Sequence, residues 1–335
     1  MADENLVLDI EHLTVRYETE DGIVRAVNDV SLQIGKKRTL GLVGETGAGK
    51  TTTALSILKL VPNPPGVVES EKIMVNGKDI RMLLPKQMER IRGKEVSMIF
   101  QDPMTVLNPV FTVGDQIAET IELHEQLSRN EAYEKALAML EVVGIPGSRA
   151  REYPHQFSGG MKQRVVIAIA LSCNPKLLIS DEPTTALDVT IQAQVLELMK
   201  ELKQKSDMSM LLITHSLGIV AEVCDEVAVM YAGRIVEQGT LEDVFLNTLH
   251  PYTEGLFNSL PNINNRQAEL RPIKGMMTDP TKLPDGCAFA PRCMYAQKEC
   301  DKAIPALRTA EGIHKVACTA YDNPGFCINR KNENV

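Results

Sequence analysis

The sequence predicts an α/β fold organised around a parallel sheet, and three observations carry that expectation. A compact apolar segment, Arg38–Val43, runs directly into the glycine-rich stretch Gly44–Thr51 and then into a segment with helical spacing, Thr52–Leu60. Short apolar runs at Leu177–Ser180, Met210–Thr214 and Val227–Tyr231 are separated by helical patterns at Thr190–Lys205 and Leu217–Val223. Strands that alternate with helices form parallel sheets, because each crossover helix returns the chain to the same edge. The third observation is a change of composition near Leu249–Pro251, after which Pro, Cys and loop-forming residues rise.

The remaining elements follow in order. Leu6–Val15 is rich in branched apolar residues and Val30–Ile34 alternates, with Gly22 as a turn between two strands. Pro62, Pro64, Pro65 and Gly66 end the first helix. Residues 72–80 suggest a strand and turn, and Val96–Phe100 a buried strand. Residues 115–172 are mostly helical in pattern, with Ala136, Leu137, Leu140 and Val143 three or four apart.

The chain has 335 residues, enough for about two or three domains at roughly 100–200 residues each. Acidic residues number 44 and basic ones 36, a net charge of −8 that disfavours a nucleic-acid partner. The tail, residues 251–335, holds 11 Lys/Arg and 9 Asp/Glu, a net of +2, so the first 250 residues carry −10. MADENLVLDI lacks the basic and apolar regions of a signal peptide, and no run approaches the roughly 18 apolar residues a membrane span needs. The expected division is 1–249 and 250–335, with a helical insert over about 102–172.

Gly44-Glu-Thr-Gly-Ala-Gly49-Lys50-Thr51 matches G-x-x-x-x-G-K-[ST] between a strand and a helix. Glycines let the backbone curl so that its N–H groups face phosphate oxygens, and the helix start adds its positive end. Lys50 is placed to reach the terminal phosphates and Thr51 to ligate Mg²⁺. Leu177-Leu-Ile-Ser-Asp181-Glu182 ends an apolar strand in two carboxylates, one suited to hold Mg²⁺ and one to orient water.

With these motifs in order, the chain resembles the ATP-binding subunits of ABC transporters. Gln101, in Met98-Ile-Phe-Gln-Asp-Pro, resembles the Q-loop glutamine, and His215, in Leu211-Leu-Ile-Thr-His, the switch histidine. Phe157-Ser-Gly-Gly-Met-Lys-Gln-Arg164 resembles the signature and Ala186-Leu-Asp188 the D-loop, while Tyr17 stands where the family stacks an aromatic ring on adenine. The resemblance implies a P-loop NTPase cassette with a parallel-sheet core, an N-terminal antiparallel β subdomain, a helical subdomain and a small irregular Cys-rich C-terminal domain. It implies nucleotide contacts from Tyr17, Gly44, Thr46, Gly47, Ala48, Gly49, Lys50, Thr51 and Thr52. Mg²⁺ would be held by Thr51, Gln101 and Asp181, and catalysis carried by Glu182, His215 and Gln101. Ser158, Gly159, Gly160 and Gln163 would act across a head-to-tail dimer, beside the D-loop Asp188.

Phe157 and Met161 depart from the commoner signature and are shared with dipeptide/oligopeptide importer ATPases; Ser180 is a mild departure from that group. His250-Pro-Tyr-Thr-Glu-Gly-Leu-Phe-Asn-Ser-Leu-Pro261 and Pro284-Asp-Gly-Cys-Ala-Phe-Ala-Pro-Arg-Cys293 resemble the same group's C-terminal extension. The resemblance implies peptide import through two separate membrane permease subunits at the cytoplasmic face. A second ATPase subunit would complete a heterodimer, and an external peptide-binding protein would act indirectly. Import of nickel or another small solute, or a soluble ribosome- or DNA-associated ABC ATPase, are the alternatives. Asp102–Gln116 would face the membrane subunits, or be an ordinary loop.

Cys287-x5-Cys293-x6-Cys300-x17-Cys318 is a further constellation. Four thiolates suit tetrahedral Zn²⁺ or a cubane cluster. The wide spacing without C-x2-C favours a [4Fe–4S] cluster as a structural staple, with Zn²⁺ as the next alternative and four free or disulfide-forming cysteines as the last. Cys327 lies outside the spacing, and Cys173 and Cys224 read as small buried apolar residues.

Overall fold

The computed structural model describes residues 5–185, 187–260, 272–323 and 325–328. Two sheets and a helical lobe make the architecture. In the first sheet, β1 (Leu6–Thr19) and β2 (Gly22–Gly35) form a long antiparallel pair closed by a turn at Gly22, whose φ of +127° no other residue adopts easily. Both strands run longer than the sequence pattern suggests, because register shifts around Leu13 interrupt the alternation without ending the ladder. β4 (Gly66–Glu69) and β5 (Lys72–Val75) pair with β1, and β6 (Lys78–Asp79) folds back on β5.

The second sheet has eight strands: β3 (Thr39–Val43), β7 (Val96–Ile99), β8 (Leu177–Asp181), β9 (Ser209–Thr214), β10 (Glu226–Tyr231), β11 (Arg234–Thr240), β12 (Arg308–Glu311) and β13 (His314–Val316). Their order is β12-β13-β11-β10-β3-β9-β8-β7. From β10 to β7 every neighbour is parallel, as expected, and from β10 outward to β12 every neighbour is antiparallel. All residues of β3, β8 and β9 are buried, so these strands read as continuous apolar runs rather than alternating ones.

The helices are α1 (Lys50–Ile57), α2 (Pro85–Ile91), α3 (Pro103–Val106), α4 (Val113–Glu125), α5 (Arg129–Val142), α6 (Gly159–Leu171), α7 (Val189–Lys205), α8 (Leu217–Val223), α9 (Leu241–Leu246) and α10 (Pro251–Asn258). Thr112 caps α4, and Ser128 with Glu131 forms a capping box on α5. Val113, Ile117 and Ile121 of α4 pack with Ala132, Ala136 and Leu140 of α5 and with Val165 of α6, which makes the expected helical lobe a cluster with its own core. Burial of each Val, Ile or Leu side chain among them stabilises the lobe by roughly 1.5–3 kcal/mol.

The tail is fastened to the second sheet by pairing and by packing. β13 extends that sheet beyond β11. Tyr252, Phe257 and Phe289 share a core with Val43, Leu212 and Tyr231. Glu237 of β11 is fully buried and accepts the N–H groups of Leu249 (2.7 Å) and His250 (2.9 Å), while His314 Nε2 lies 3.0 Å from the same carboxylate. A buried carboxylate persists only with such a set of donors. The compositional change near Leu249–Pro251 is therefore bridged by strands, rings and the hydrogen bonds of a buried carboxylate.

Candidate active site

Three parallel neighbours, β3, β9 and β8, end at one edge of the sheet, where open α/β folds place their ligands. β3 releases the loop Gly44–Gly49 into α1, β8 delivers Asp181 and Glu182, and β9 delivers His215. Residues more than 130 positions apart in sequence thus share one edge.

The loop's glycines are there for space and backbone angle. Gly49 has φ +103° and a Cβ on it would stand 2.3 Å from the Ala26 carbonyl oxygen; at Gly44 the Met230 carbonyl oxygen is 2.2 Å away. Lys50 is buried, and its Nζ donates to the carbonyls of Gly44 (2.7 Å) and Glu45 (3.0 Å). Burial holds its pKa below the usual lysine value against the pull of Glu182, Asp181 and Glu45. Thr51 Oγ1 donates to Asp181 Oδ2 at 2.8 Å; burial raises the Asp181 pKa and this bond opposes the rise. Ala48 is buried, Thr52 is half-buried, and Thr46 and Gly47 are exposed on the loop's outer side.

Glu182 is the centre of the second group. It has φ +47°, the left-handed region, and its N–H is fixed by the Ile213 carbonyl at 2.8 Å. Gln101 Nε2 donates to Oε2 at 3.0 Å, Thr185 Oγ1 donates to the same oxygen at 2.9 Å, and His215 Nδ1 lies 3.0 Å from Oε1. Burial opposes its ionisation, but the bonds from His215 and Thr185 outweigh it, so the pKa stays below the usual glutamate value. A strained, ionised carboxylate held on both oxygens has the chemistry that a base for water requires. The sequence gives Gln101, Glu182 and His215; Thr185 carries no motif of its own and only the turn after β8 places it.

Asp181, Thr51 and the exposed Gln101 carry side-chain oxygens of the kind Mg²⁺ prefers and would be the residues to hold it. The ion would neutralise charge on the phosphates. Tyr17 sits near the end of β1, half-buried, with its ring over Gly66.

Ser158 caps α6 by accepting the Met161 N–H at 3.4 Å, and Gly159 and Gly160 form the first turn behind it. Gly160 faces Ile191 of α7 so closely that a Cβ would stand 2.5 Å from Cγ2, and Asp188 caps α7 through the Ile191 N–H at 3.0 Å. The unusual signature residues share one partner: the Arg149 guanidinium lies 4.5 Å over the Phe157 ring, and its Nη1 is 3.4 Å from Met161 Sδ. Gln163, expected to act across the dimer with Ser158, Gly159 and Gly160, is turned inward instead. It lies with Val166, Ile167 and Ala170 on the buried side of α6, fully covered, and neither side-chain amide atom has a partner. Ala186 lies outside the described residues.

Cys287, Cys293, Cys300 and Cys318 line one cavity of about 10 Å³ with His250 and Phe289. The Tyr295 N–H points at Cys293 Sγ (3.4 Å) and the Gln297 N–H at Cys300 Sγ (3.5 Å). Burial pushes the Cys293 thiol up to about 12 and the Cys318 thiol to about 11. Among the described residues, no three His, Cys, Asp or Glu side chains are grouped to hold a metal ion. The expected [4Fe–4S] cluster is therefore not matched by this geometry: the thiols converge, but the space between them is about that of one water and not of a cubane. Cys173 and Cys224 are buried as expected, Cys224 beneath Gly41.

The fold and the edge where these residues meet define a phosphate-loop ATPase of the cassette type. Residues 27–185 match the family described as ABC transporter, and residues 236–300 match the oligopeptide/dipeptide transporter C-terminal region. The chain is 49% identical over 318 residues to the dipeptide transport ATP-binding protein DppD of Bacillus subtilis, covering 94% of this chain and 95% of that one. It is 52% identical over 313 residues to the oligopeptide transport ATP-binding protein OppD of the same organism, covering 92% and 87%. Its fold is similar to that of cbiO1 from Clostridium perfringens, part of the ABC transporter complex cbiONQ, with a TM-score of 0.62, 27% identity, and coverage of 72% and 91%. The chain belongs to the ABC transporter ATP-binding proteins, in the branch that carries the oligopeptide/dipeptide C-terminal region, and is an ATPase.

Proposed function

We propose that this ATPase powers the import of dipeptides or oligopeptides through separate membrane subunits. The observation that carries the catalytic part is the Glu182 carboxylate, held by Gln101, Thr185 and His215 beside the Lys50–Thr51 loop. The likeness to DppD and OppD, and the matched C-terminal region, support the peptide part.

In this reading a second ATPase subunit packs head to tail, giving a heterodimer, so that Ser158, Gly159 and Gly160 meet the terminal phosphate bound by the partner. Tyr17 stacks on the adenine, and Lys50 and the loop N–H groups hold the phosphates. Glu182 takes a proton from water as His215 steadies it, and Asp188 lines the dimer seam. Hydrolysis then opens the dimer. Among the described residues no helix is long and apolar enough to cross a membrane. Two permease subunits would carry the contact with the membrane, a reading that the peptide-transport relatives support. The surface that receives them is the cleft of about 360 Å³ lined by Phe111, Asp115, Leu123 and Arg129, with Val110 and Phe111 exposed above it. In the same reading the protein works peripherally at the cytoplasmic face, with the external peptide-binding protein acting only through the permeases.

The transport reading is tested with the whole transporter in liposomes. Peptide uptake that requires ATP and is lost in Glu182→Gln supports it. ATP hydrolysis accompanied by uptake of nickel but of no peptide overturns it.

A further inference from the structure

The C-terminal region reaches back to the phosphate loop at three points. Arg292, almost fully buried, places Nη1 2.7 Å from Glu45 Oε2 and Nη2 3.0 Å from Glu45 Oε1, a two-toothed pair. Its Nε donates to the Lys274 carbonyl at 3.0 Å, which fixes the plane of the fork. The Tyr252 phenol oxygen accepts the Glu45 N–H at 2.9 Å. Met277 stands so close to Gly47 that a Cβ there would lie 2.9 Å from its methyl.

Glu45 is the residue directly after Gly44, and it is held on every polar group: N–H by Tyr252, carbonyl by Lys50 and carboxylate by Arg292. Its charge is felt inside the loop, since it pulls on the Lys50 pKa. A carboxylate at the mouth of a phosphate cradle repels the ligand unless it is neutralised and turned away. Lys50 has to leave the Glu45 carbonyl to reach a phosphate, so the other two holds must keep the loop in shape when it does.

We propose that Arg292 is a positioning residue for nucleotide binding: its fork neutralises Glu45 and holds it outward, so that the C-terminal region sets the affinity of the phosphate loop for ATP. The inference rests on the ATP-hydrolysing role of the loop and is independent of the solute transported. Arg292 ends a short turn, Ala290–Arg292, in which the Ala290 N–H donates to the Cys287 carbonyl (3.0 Å) and the Cys293 N–H to the Ala290 carbonyl (3.2 Å). The thiol pocket therefore lies under the same turn that aims the guanidinium.

The test measures KM and kcat for ATP, and nucleotide-free melting, on the full-length protein with Arg292→Met, Arg292→Lys, Glu45→Gln and the double variant Arg292→Met/Glu45→Gln. Arg292→Met is expected to raise KM about tenfold with kcat within about twofold, because the charge-assisted fork is lost and the carboxylate is freed. Arg292→Lys, which keeps the charge without the fork, raises it about threefold and carries the test if the methionine variant does not fold. The double variant is expected to bind ATP better than Arg292→Met alone, since the repelling carboxylate is gone. A KM unmoved in Arg292→Met and Arg292→Lys, a fall in kcat alone, or a double variant no better than Arg292→Met overturns the proposal. A loss of melting temperature without a change in KM marks a purely structural pair and overturns it equally.

Discussion

The Thr51 hydroxyl donates to the Asp181 carboxylate across 2.8 Å and ties the first turn of α1 to the end of β8. Asp181 is buried, and burial raises its pKa, so this donor supports its charged form. Thr51→Val keeps the shape and removes the donor. It is expected to destabilise the protein by about 1–3 kcal/mol, the cost of a buried acceptor left unpaired, whereas Thr51→Ser stays near the parent. Denaturant unfolding without nucleotide separates the two.

Glu182→Gln keeps the left-handed turn and the size of the side chain but ends its action as a base. Hydrolysis is expected to fall by about 100-fold or more, with ATP binding retained, because general-base assistance contributes about that much. Single-turnover hydrolysis and equilibrium nucleotide binding on one preparation check both halves. Hydrolysis at the parent rate would remove Glu182 from the mechanism.

Phe111 is about half exposed, at 53%, beside the cleft in the helical lobe. Phe111→Asp should leave the ATPase rate of the isolated subunit within about twofold and the fold intact, because surface changes away from packing cost little. Assembly with the membrane subunits should be lost, as read by co-purification. Normal co-purification would move the docking surface elsewhere.

His250 is fully buried and caps α10 with Nδ1, which accepts the Tyr252 N–H at 3.0 Å. Burial lowers its pKa from 6.5 to about 3. The unfolded chain therefore takes up a proton near pH 6.5 that the folded chain refuses until about pH 3. Stability from this group is complete above pH 6.5 and is lost as pH falls below it, at up to about 1.4 kcal/mol per pH unit. His250→Asn retains an acceptor at the cap without the titration, so its stability should fall less steeply between pH 6.5 and 4 in urea unfolding. Parallel curves would show that the ring is not the group responsible.

The parallel core was legible because buried parallel strands are written as short unbroken apolar runs, and Leu177–Asp181 and Ser209–Thr214 are such runs. The site was legible because Gly44–Thr51, Asp181–Glu182 and His215 are local signals whose chemistry restricts the residues allowed. What stayed hidden depends on long-range contact. β12 and β13 are short and carry exposed or charged residues, and only their pairing, β13 with β11 and β12 with β13, makes them strands. Arg292 and Glu45 are 247 residues apart, and no spacing rule links them. Gln163 followed its motif rather than its helix: the buried neighbours three and four residues further along α6 predict an inward side chain.

β11 pairs with β10 on one side and with β13 on the other. A chain cut after residue 249 would keep β11 but lose its outer cover, leaving the N–H and C=O groups of a largely buried strand open to solvent around Glu237 and Gln238. Bare sheet margins of that kind recruit other chains. A truncated cassette is therefore a self-associating species, and its aggregation would be mistaken for oligomer formation unless the C-terminal residues are retained.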